Sequence, residues 1–203
     1  MPPLYALPAA LKKPFMQPIH IAHAAAQLHR GGVIAYPTEG VWGLGCDPFD
    51  EAAVLRILAL KQRPVEKGLI IVAAGVDQIA ALLESLTEAE RATVLASWPG
   101  PTTWLLPDPA QLVPTWIKGK FATVAVRVSA HPDVVRLCRA FDGPLVSTSA
   151  NPADAPPALS RLRVLTWFGR ELDYVVPGRL GGQRGPSTIR DLHSATPVRA
   201  AAT

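Results

Sequence analysis

Three positively charged side chains, Lys61, Arg63 and Lys67, follow one another at the predicted end of a helix. Arginine presents a planar fork to phosphate oxygens and lysine presents a point charge, so together they can offset a developing negative charge. Cations near a helix C-terminus are also favoured by the helix dipole and by solvation. The cluster therefore predicts either an anion-binding site or a solvated helix end, and the residues alone leave both open.

Hydroxyl and amide side chains form a second group, because Ser147, Ser149 and Asn151 stand where a predicted strand ends. Crevices at the carboxyl ends of strands hold ligands in open α/β sheets, and hydroxyl and amide groups bind phosphate or carboxylate oxygens. A turn closed by a Ser or Asn side chain is the alternative. Ser187, which follows Pro186, is another hydroxyl residue that could bind ligand oxygens, and an ordinary strand start is the alternative.

Arg127 lies inside an alternating strand, where a charge must face solvent or meet a partner because unpaired burial is costly. The local pattern slightly favours solvent exposure. A ligand carboxylate is the other partner that would suit the guanidinium fork.

Nucleotide fingerprints and metal motifs are incomplete. Gly40 and Gly45 have P-loop spacing, but Cys46-Asp47 replaces the required Lys-Ser/Thr, and Pro48 breaks the dinucleotide pattern that begins at Gly43. These glycines predict a tight loop. The histidines offer no clear third ligand, so no metal site is predicted, and no nucleophile-histidine-acid triad can be read from the spacing.

The elements that must position these side chains alternate between helix and strand, which predicts a single α/β domain with a largely central sheet and flanking helices. Residues 1–16 contain four prolines and no periodic pattern, so we expect an N-terminal extension before a domain at 17–203. Helices are predicted at 19–30, 51–62, 77–84, 132–141 and 160–170, with Asp50 capping the second and another helix beginning at the Thr87 capping box. Strands are predicted at 33–36, 69–73, 124–128, 145–148 and 174–176, and 103–106 is an apolar segment.

Composition bounds the function further. Hydrophobic residues make up 49% of the 203 residues, which excludes wholesale disorder, and the net charge is +4. The second half carries the basic surplus, with 12 basic and 7 acidic groups in residues 102–203, which suits phosphate-bearing partners. Two cysteines, no signal-peptide pattern and no long apolar run predict a cytoplasmic protein without a membrane partner.

Six motifs, in the same order along the chain, resemble the YrdC/Sua5 family, and in particular its short bacterial members. They are Tyr36-Pro37-Thr38-Glu39 with Gly43-Leu44-Gly45, Lys61-Gln62-Arg63-Pro64, Trp98-Pro99-Gly100-Pro101-Thr102-Thr103, Ala125-Val126-Arg127, Ser147-Thr148-Ser149-Ala150-Asn151 and Pro186-Ser187-Thr188-Ile189. The resemblance implies a twisted mixed α/β sheet with a large concave, basic cavity. It also implies a nucleotidyltransferase that joins L-threonine, bicarbonate and ATP into threonylcarbamoyl-adenylate and pyrophosphate, for modification of position 37 in tRNAs that read codons starting with A.

The resemblance also implies roles for individual residues. Lys61 and Arg63 would be catalytic, because they neutralise charge as pyrophosphate departs, and Mg²⁺ would be bound through ATP. The implied ATP-binding residues are Lys61, Arg63, Lys67, Thr123, Ser149, Asn151 and Arg199. The implied threonine-binding residues are Thr38, Arg127, Ser147 and Ser187, with Arg127 taking the carboxylate.

Partners follow from the same resemblance. The proteins of the tRNA threonylcarbamoyl transferase complex would take up the product, and tRNA or double-stranded RNA is a further partner. The alternative function is an RNA-binding module without turnover, acting in RNA maturation. Concentration of the cations beside hydroxyl and amide groups favours the enzyme over this alternative.

Overall fold

A mixed sheet of eight strands runs through the computed structural model, which describes residues 17–194 and 197–199. The predicted extension, residues 1–16, lies outside the described residues. The strand order is β7-β1-β2-β6-β3-β5-β4-β8. The strands are β1 (Ile34–Pro37), β2 (Trp42–Gly45), β3 (Ile70–Ala73), β4 (Thr102–Pro107), β5 (Thr123–Val128), β6 (Leu145–Ser149), β7 (Tyr174–Val175) and β8 (Thr188–Asp191).

Helices flank the sheet, and their ends carry the capping residues that the sequence predicts. The Asp50 carboxylate accepts a hydrogen bond from the Ala53 N–H at 3.1 Å, and Thr87 and Glu90 form a reciprocal capping box. No helix among the described residues has the length and apolar composition needed to cross a membrane. The helices are α1 (Pro18–Leu28), α2 (Glu51–Lys61), α3 (Ala80–Leu83), α4 (Glu88–Ala96), α5 (Thr115–Lys118), α6 (Pro132–Phe141) and α7 (Arg161–Phe168), with 3-10 turns at Val65–Lys67 and Val76–Ile79.

Alternation along the strands divides the core between the two faces of the sheet. In β5, Val124, Val126 and Val128 join a large apolar cluster that also contains side chains of α2, α4 and α7. The opposite face carries a smaller cluster, to which α1 and α6 contribute. Thr123 and Arg127 project from this second face, which places polar side chains beside an apolar cluster.

One predicted loop is a strand. Trp42–Gly45 pairs with β1 as β2, because Trp42 and Leu44 enter the large cluster while the two glycines face the other side. A Cβ at Gly45 would lie 2.6 Å from the Val146 carbonyl oxygen and 2.7 Å from Tyr36 Cε1. The glycines thus allow neighbouring groups to approach closely, and the loop interpretation was wrong.

Short elements account for the other differences from the predicted secondary structure. The helix predicted at 77–84 is a 3-10 turn followed by the four-residue α3, and α5 was not predicted. Apolar periodicity cannot define an element of a single turn.

Candidate functional site

A cavity that is partly open to solvent lies on the sheet face that carries Thr123 and Arg127. Alternation brings Ser147 and Ser149 of β6 to the same face, since Val146, the residue before Ser147, belongs to the large cluster on the opposite face. Nine of the eleven predicted site residues line the cavity: Thr38, Arg63, Lys67, Thr123, Arg127, Ser147, Ser149, Ser187 and Arg199. Lys61 and Asn151 do not line it.

Lys61 nevertheless joins the cationic cluster to the Ser-Asn loop. Its side chain is buried, and its ammonium donates hydrogen bonds to the carbonyl oxygens of Ser149 and Asn151 and to Asn151 Oδ1, the last at 3.2 Å. Burial, and then the positive charge of Arg63, lower the pKa of Lys61 to about 8. Lys61 therefore holds the loop from below the cavity rather than projecting into it.

The loop itself is fixed by further hydrogen bonds. Ser149 Oγ donates to Asn151 Oδ1 at 2.6 Å, and Asn151 Nδ2 donates to the Ala155 carbonyl at 2.8 Å. Such contacts hold hydroxyl and backbone groups in place at the cavity wall, so little conformational entropy is lost there when a ligand binds.

Arg63 and Lys67 form the cationic wall. Arg63 Nε and Nη2 donate to the Gly68 carbonyl, and Nη2 also donates to the Lys67 carbonyl at 3.1 Å. These contacts leave Nη1 for a ligand. Partial burial lowers the pKa of the Arg63 guanidinium, but an arginine stays charged throughout the working pH range.

Arg127 is buried rather than exposed, so the local preference for solvent was wrong. Its Nη1 donates to Glu39 Oε2, and Glu39 Oε1 accepts a hydrogen bond from Ser129 Oγ at 2.6 Å. Burial by itself would raise the pKa of Glu39, but the Arg127 charge and the Ser129 hydrogen bond outweigh it and hold the pKa below its usual value. Arg127 Nε is buried without a hydrogen-bond partner, so one donor of the pair is left for a ligand.

Ser187 and Arg199, which come late in the sequence, form a further part of the cavity lining. Arg199 Nη2 donates to the Ser187 carbonyl at 2.7 Å, and the hydroxyls of Ser187 and Thr103 lie 2.9 Å apart. The backbone of Arg199 pairs with Ile189 of β8. Burial, followed by the charges of Arg127 and Arg63, lowers the pKa of Arg199, and all three cations line the cavity.

Thr38 and Thr123 complete the predicted set. Thr38 Oγ1 donates to the Val41 carbonyl at 2.7 Å, so its hydroxyl offers a ligand lone pairs only. Thr123 lies near an apolar end of the cavity, where Ile117 and Phe121 are also lining residues. Phe121 is about half exposed and presents an aromatic ring there.

Sequence reasoning missed the acidic partners of the site. Glu39 was part of a motif but had no assigned partner, and the Asp108–Lys118 ion pair, at 2.7 Å, was not predicted. Asp108 also accepts hydrogen bonds from the N–H groups of Leu112 and Val113, which fixes the segment before α5. The buried alternation of β5 was the signal that Arg127 needed a protein partner as well as a ligand.

Within residues 17–194 and 197–199, no group of three or more His, Cys, Asp or Glu side chains could hold a metal ion. The described lining of the cavity contains no carboxylate, although it contains five cations: Arg63, Lys67, Lys118, Arg127 and Arg199. The site is therefore chemically suited to anionic ligands that bring their own cation.

Known proteins match this chain over most of its length. The profile of the Sua5/YciO/YrdC family, described as "Telomere recombination", matches residues 26–201. The threonylcarbamoyl-AMP synthase of Stutzerimonas stutzeri is 56% identical over 181 residues, which cover 89% of this chain and 97% of that protein. The threonylcarbamoyl-AMP synthase of Halorhodospira halophila is 52% identical over 186 residues, covering 92% and 97%.

Solved structures agree with the fold described above. P. abyssi Sua5 complexed with L-threonine superposes with a TM-score of 0.78 at 35% identity, covering 87% of this chain and 52% of that chain. This chain thus spans about half the length of P. abyssi Sua5. E. coli YciO superposes with a TM-score of 0.77 at 26% identity, covering 91% and 89%. The chain therefore belongs to the Sua5/YciO/YrdC family.

Proposed function

We propose that the protein is a threonylcarbamoyl-AMP synthase, which converts L-threonine, bicarbonate and ATP into threonylcarbamoyl-adenylate and pyrophosphate. The observation that carries this proposal is one cavity lined by unpaired cations and by a buried arginine with a free donor. Relatives at 52–56% identity, covered almost completely, bear the same name. The reaction makes the enzyme a nucleotidyltransferase.

The triphosphate would bind along the cationic wall. Arg63, Lys67 and Arg199 surround the phosphate region, and the Ser149 hydroxyl would donate to a phosphate oxygen in place of Asn151 Oδ1. Lys61 and Asn151 support this wall from behind through the hydrogen bonds between them. Thr123 and the ring of Phe121 would lie against the nucleoside, because they border the apolar end of the cavity.

Threonine would bind beside the triphosphate, with its carboxylate on the Arg127 guanidinium and its polar groups near Thr38, Ser147 and Ser187. The threonine amine first forms a bond to the carbon of bicarbonate, with loss of water, or to that of carbon dioxide, with loss of a proton from the amine, which gives a carbamate. A carbamate oxygen then forms a bond to the α-phosphorus while the bond from that phosphorus to the bridging oxygen of pyrophosphate breaks. No protein nucleophile takes part, so catalysis consists of placement and of offsetting charge on the departing pyrophosphate.

Magnesium would enter with ATP, because phosphate oxygens and water supply the oxygen ligands that Mg²⁺ prefers. The cavity lining contributes hydroxyls rather than carboxylates. We also propose that the product passes in the cytoplasm to tRNA threonylcarbamoyl transferase proteins. The basic surplus of the second half of the chain supports tRNA as a further partner.

Threonine-dependent turnover tests the proposal. Purified protein incubated with ATP, Mg²⁺, bicarbonate and L-threonine is expected to release pyrophosphate, and omission of either threonine or bicarbonate should abolish the release. Mass spectrometry of the mixture would identify the adenylate. Tight tRNA binding by a folded protein that releases no pyrophosphate would instead support the RNA-binding alternative.

The lowered pKa of Lys61 predicts a pH dependence of ATP binding. Because its pKa is about 8, the ammonium is charged at pH 7 and mostly neutral at pH 9. The neutral amine loses the charge-assisted bonds to the Ser149–Asn151 loop, so ATP affinity should fall as pH rises through 8. Titration calorimetry with MgATP at pH 7 and pH 9 measures this change.

Lys61→Met provides the control for that experiment, since it keeps an unbranched side chain and has no titratable group. It should bind MgATP more weakly than the wild type at pH 7 and show little further loss at pH 9. Equal pH dependence in the two proteins would assign the effect to another group.

A further inference from the structure

Glu39 stands behind Arg127 and does not line the cavity, whereas Arg127 does. The two carboxylate oxygens of Glu39 accept different hydrogen bonds, Oε2 from Arg127 Nη1 and Oε1 from Ser129 Oγ. The Gln183 N–H donates to the Glu39 carbonyl at 2.9 Å, and the Gly181 N–H donates to the Thr38 carbonyl at 3.0 Å. Glu39 is thus fixed through both its side chain and the backbone around it.

The five cations of the cavity lining fall into two groups. Arg127 and Lys118 each pair with a buried or nearly buried carboxylate, Glu39 and Asp108 respectively. Among the described residues, no ion pair joins Arg63, Lys67 or Arg199 to an acid. Positive charge is therefore cancelled at Arg127 and Lys118 and left uncancelled at Arg63, Lys67 and Arg199.

This arrangement matters because both proposed ligands present anionic groups, the carboxylate of threonine and the phosphates of ATP. A buried, uncompensated arginine attracts the most highly charged anion available, and the attraction is strong where water is excluded. The Glu39–Arg127 pair is neutral as a unit but still offers the unpartnered Nε–H. Such a pair suits a single carboxylate of a zwitterionic amino acid better than a phosphate chain.

We propose that Glu39 is a positioning and selectivity residue, which fixes the orientation of Arg127 at the cavity and cancels its charge, so that Arg127 accepts an amino-acid carboxylate and excludes phosphate groups. The proposal rests on the proposed function and assigns the separation of the two anionic ligands to one ion pair. Polyphosphate is left to the unpaired cations Arg63, Lys67 and Arg199.

Glu39→Gln tests this role, because the amide keeps the shape of the side chain and an acceptor for Ser129 but removes the charge. Threonine affinity, measured by calorimetry, should fall at least tenfold, while the dissociation constant of MgATP should change less than threefold. In turnover assays KM for threonine should rise more than kcat falls. Inorganic pyrophosphate should compete with threonine in this variant and only with ATP in the wild type.

Asp108→Asn is the matched control, since it neutralises the carboxylate of the other ion pair that borders the cavity. It should not make pyrophosphate competitive with threonine. If the substitutions only loosened the cavity, both variants would bind both threonine and MgATP more weakly. That result would contradict selectivity by Glu39.

Ser129→Ala is a second test, needed if Glu39→Gln does not fold. It preserves the ion pair but frees one carboxylate oxygen, so threonine binding should weaken about threefold to tenfold with MgATP binding unchanged. Threonine affinity equal to that of the wild type in every folded variant would overturn the proposal. A wild-type protein that binds no threonine would overturn the proposed function itself, and the two failures are therefore distinguishable.

Discussion

Arg63→Ala is expected to lower kcat for pyrophosphate release by about 10²–10³-fold, the usual loss when a donor aimed at developing charge is removed. Arg63 lines the cavity, and its Nε and Nη2 are anchored to backbone carbonyls while Nη1 remains available. Its charge would act most strongly on the departing pyrophosphate. Steady-state turnover assays at saturating MgATP and threonine measure kcat directly, and thermal unfolding reports whether the variant is folded.

Two further variants test whether the loss in Arg63→Ala is specific to this side chain. Arg63→Lys keeps the charge but cannot reach both carbonyls and a phosphate together, so its kcat should lie between those of Arg63→Ala and the wild type. Arg91→Ala removes an exposed arginine of α4 and should leave kcat unchanged. A kcat for Arg63→Ala within threefold of the wild type would remove Arg63 from the catalytic role.

Local signals predicted the elements that carry the site. The Asp50 cap and the Thr87–Glu90 capping box both act over three residues, and both are present as predicted. Apolar alternation likewise predicted the strand at 124–128, although it was the structure that placed Thr123 and Arg127 on one face. Interactions of this range are visible in a sequence because the interacting residues are neighbours in it.

Pairing across the sheet was not predictable from the same signals. Glu39 meets Arg127 across a separation of 88 residues, and Lys61 meets Asn151 across 90. Each pair depends on the strand order β1-β2-β6-β3-β5, which no local pattern defines. The resemblance to a family predicted that the motifs share one site. It did not reveal that Lys61 supports the loop from behind or that Arg127 is already paired with Glu39.

The strand β2 shows why one local pattern was misread. Glycine is usually a sign of a loop, but here Gly43 and Gly45 alternate with Trp42 and Leu44, whose side chains are buried in the large cluster. The period of two was therefore the stronger signal. Of the two glycines, Gly43 lines the cavity and leaves space for a ligand beside Ser147, whereas the space at Gly45 is filled by Tyr36 and the Val146 carbonyl.

Arg127→Lys is expected to weaken L-threonine binding by about tenfold to 150-fold, since a hydrogen bond to a charged group contributes about 1.5–3 kcal/mol. Lysine retains a charge for Glu39, so the buried carboxylate is not left unpaired, but it lacks the Nε–H that is free in Arg127. Arg127→Ala would confound this measurement, because removal of one partner of a buried pair costs about 3–5 kcal/mol in stability.

The distinguishing feature of Arg127→Lys is its selectivity between ligands. MgATP binding depends on Arg63, Lys67 and the Ser149 region, so its dissociation constant should change less than threefold. Calorimetry with each ligand alone gives both values on one protein sample. If Glu39 acts only through Arg127, adding Glu39→Gln to Arg127→Lys should weaken threonine binding less than Glu39→Gln does alone. Strictly additive losses would mean that Glu39 and Arg127 act on threonine independently, and that the free Nε–H is not held in place by its acidic partner.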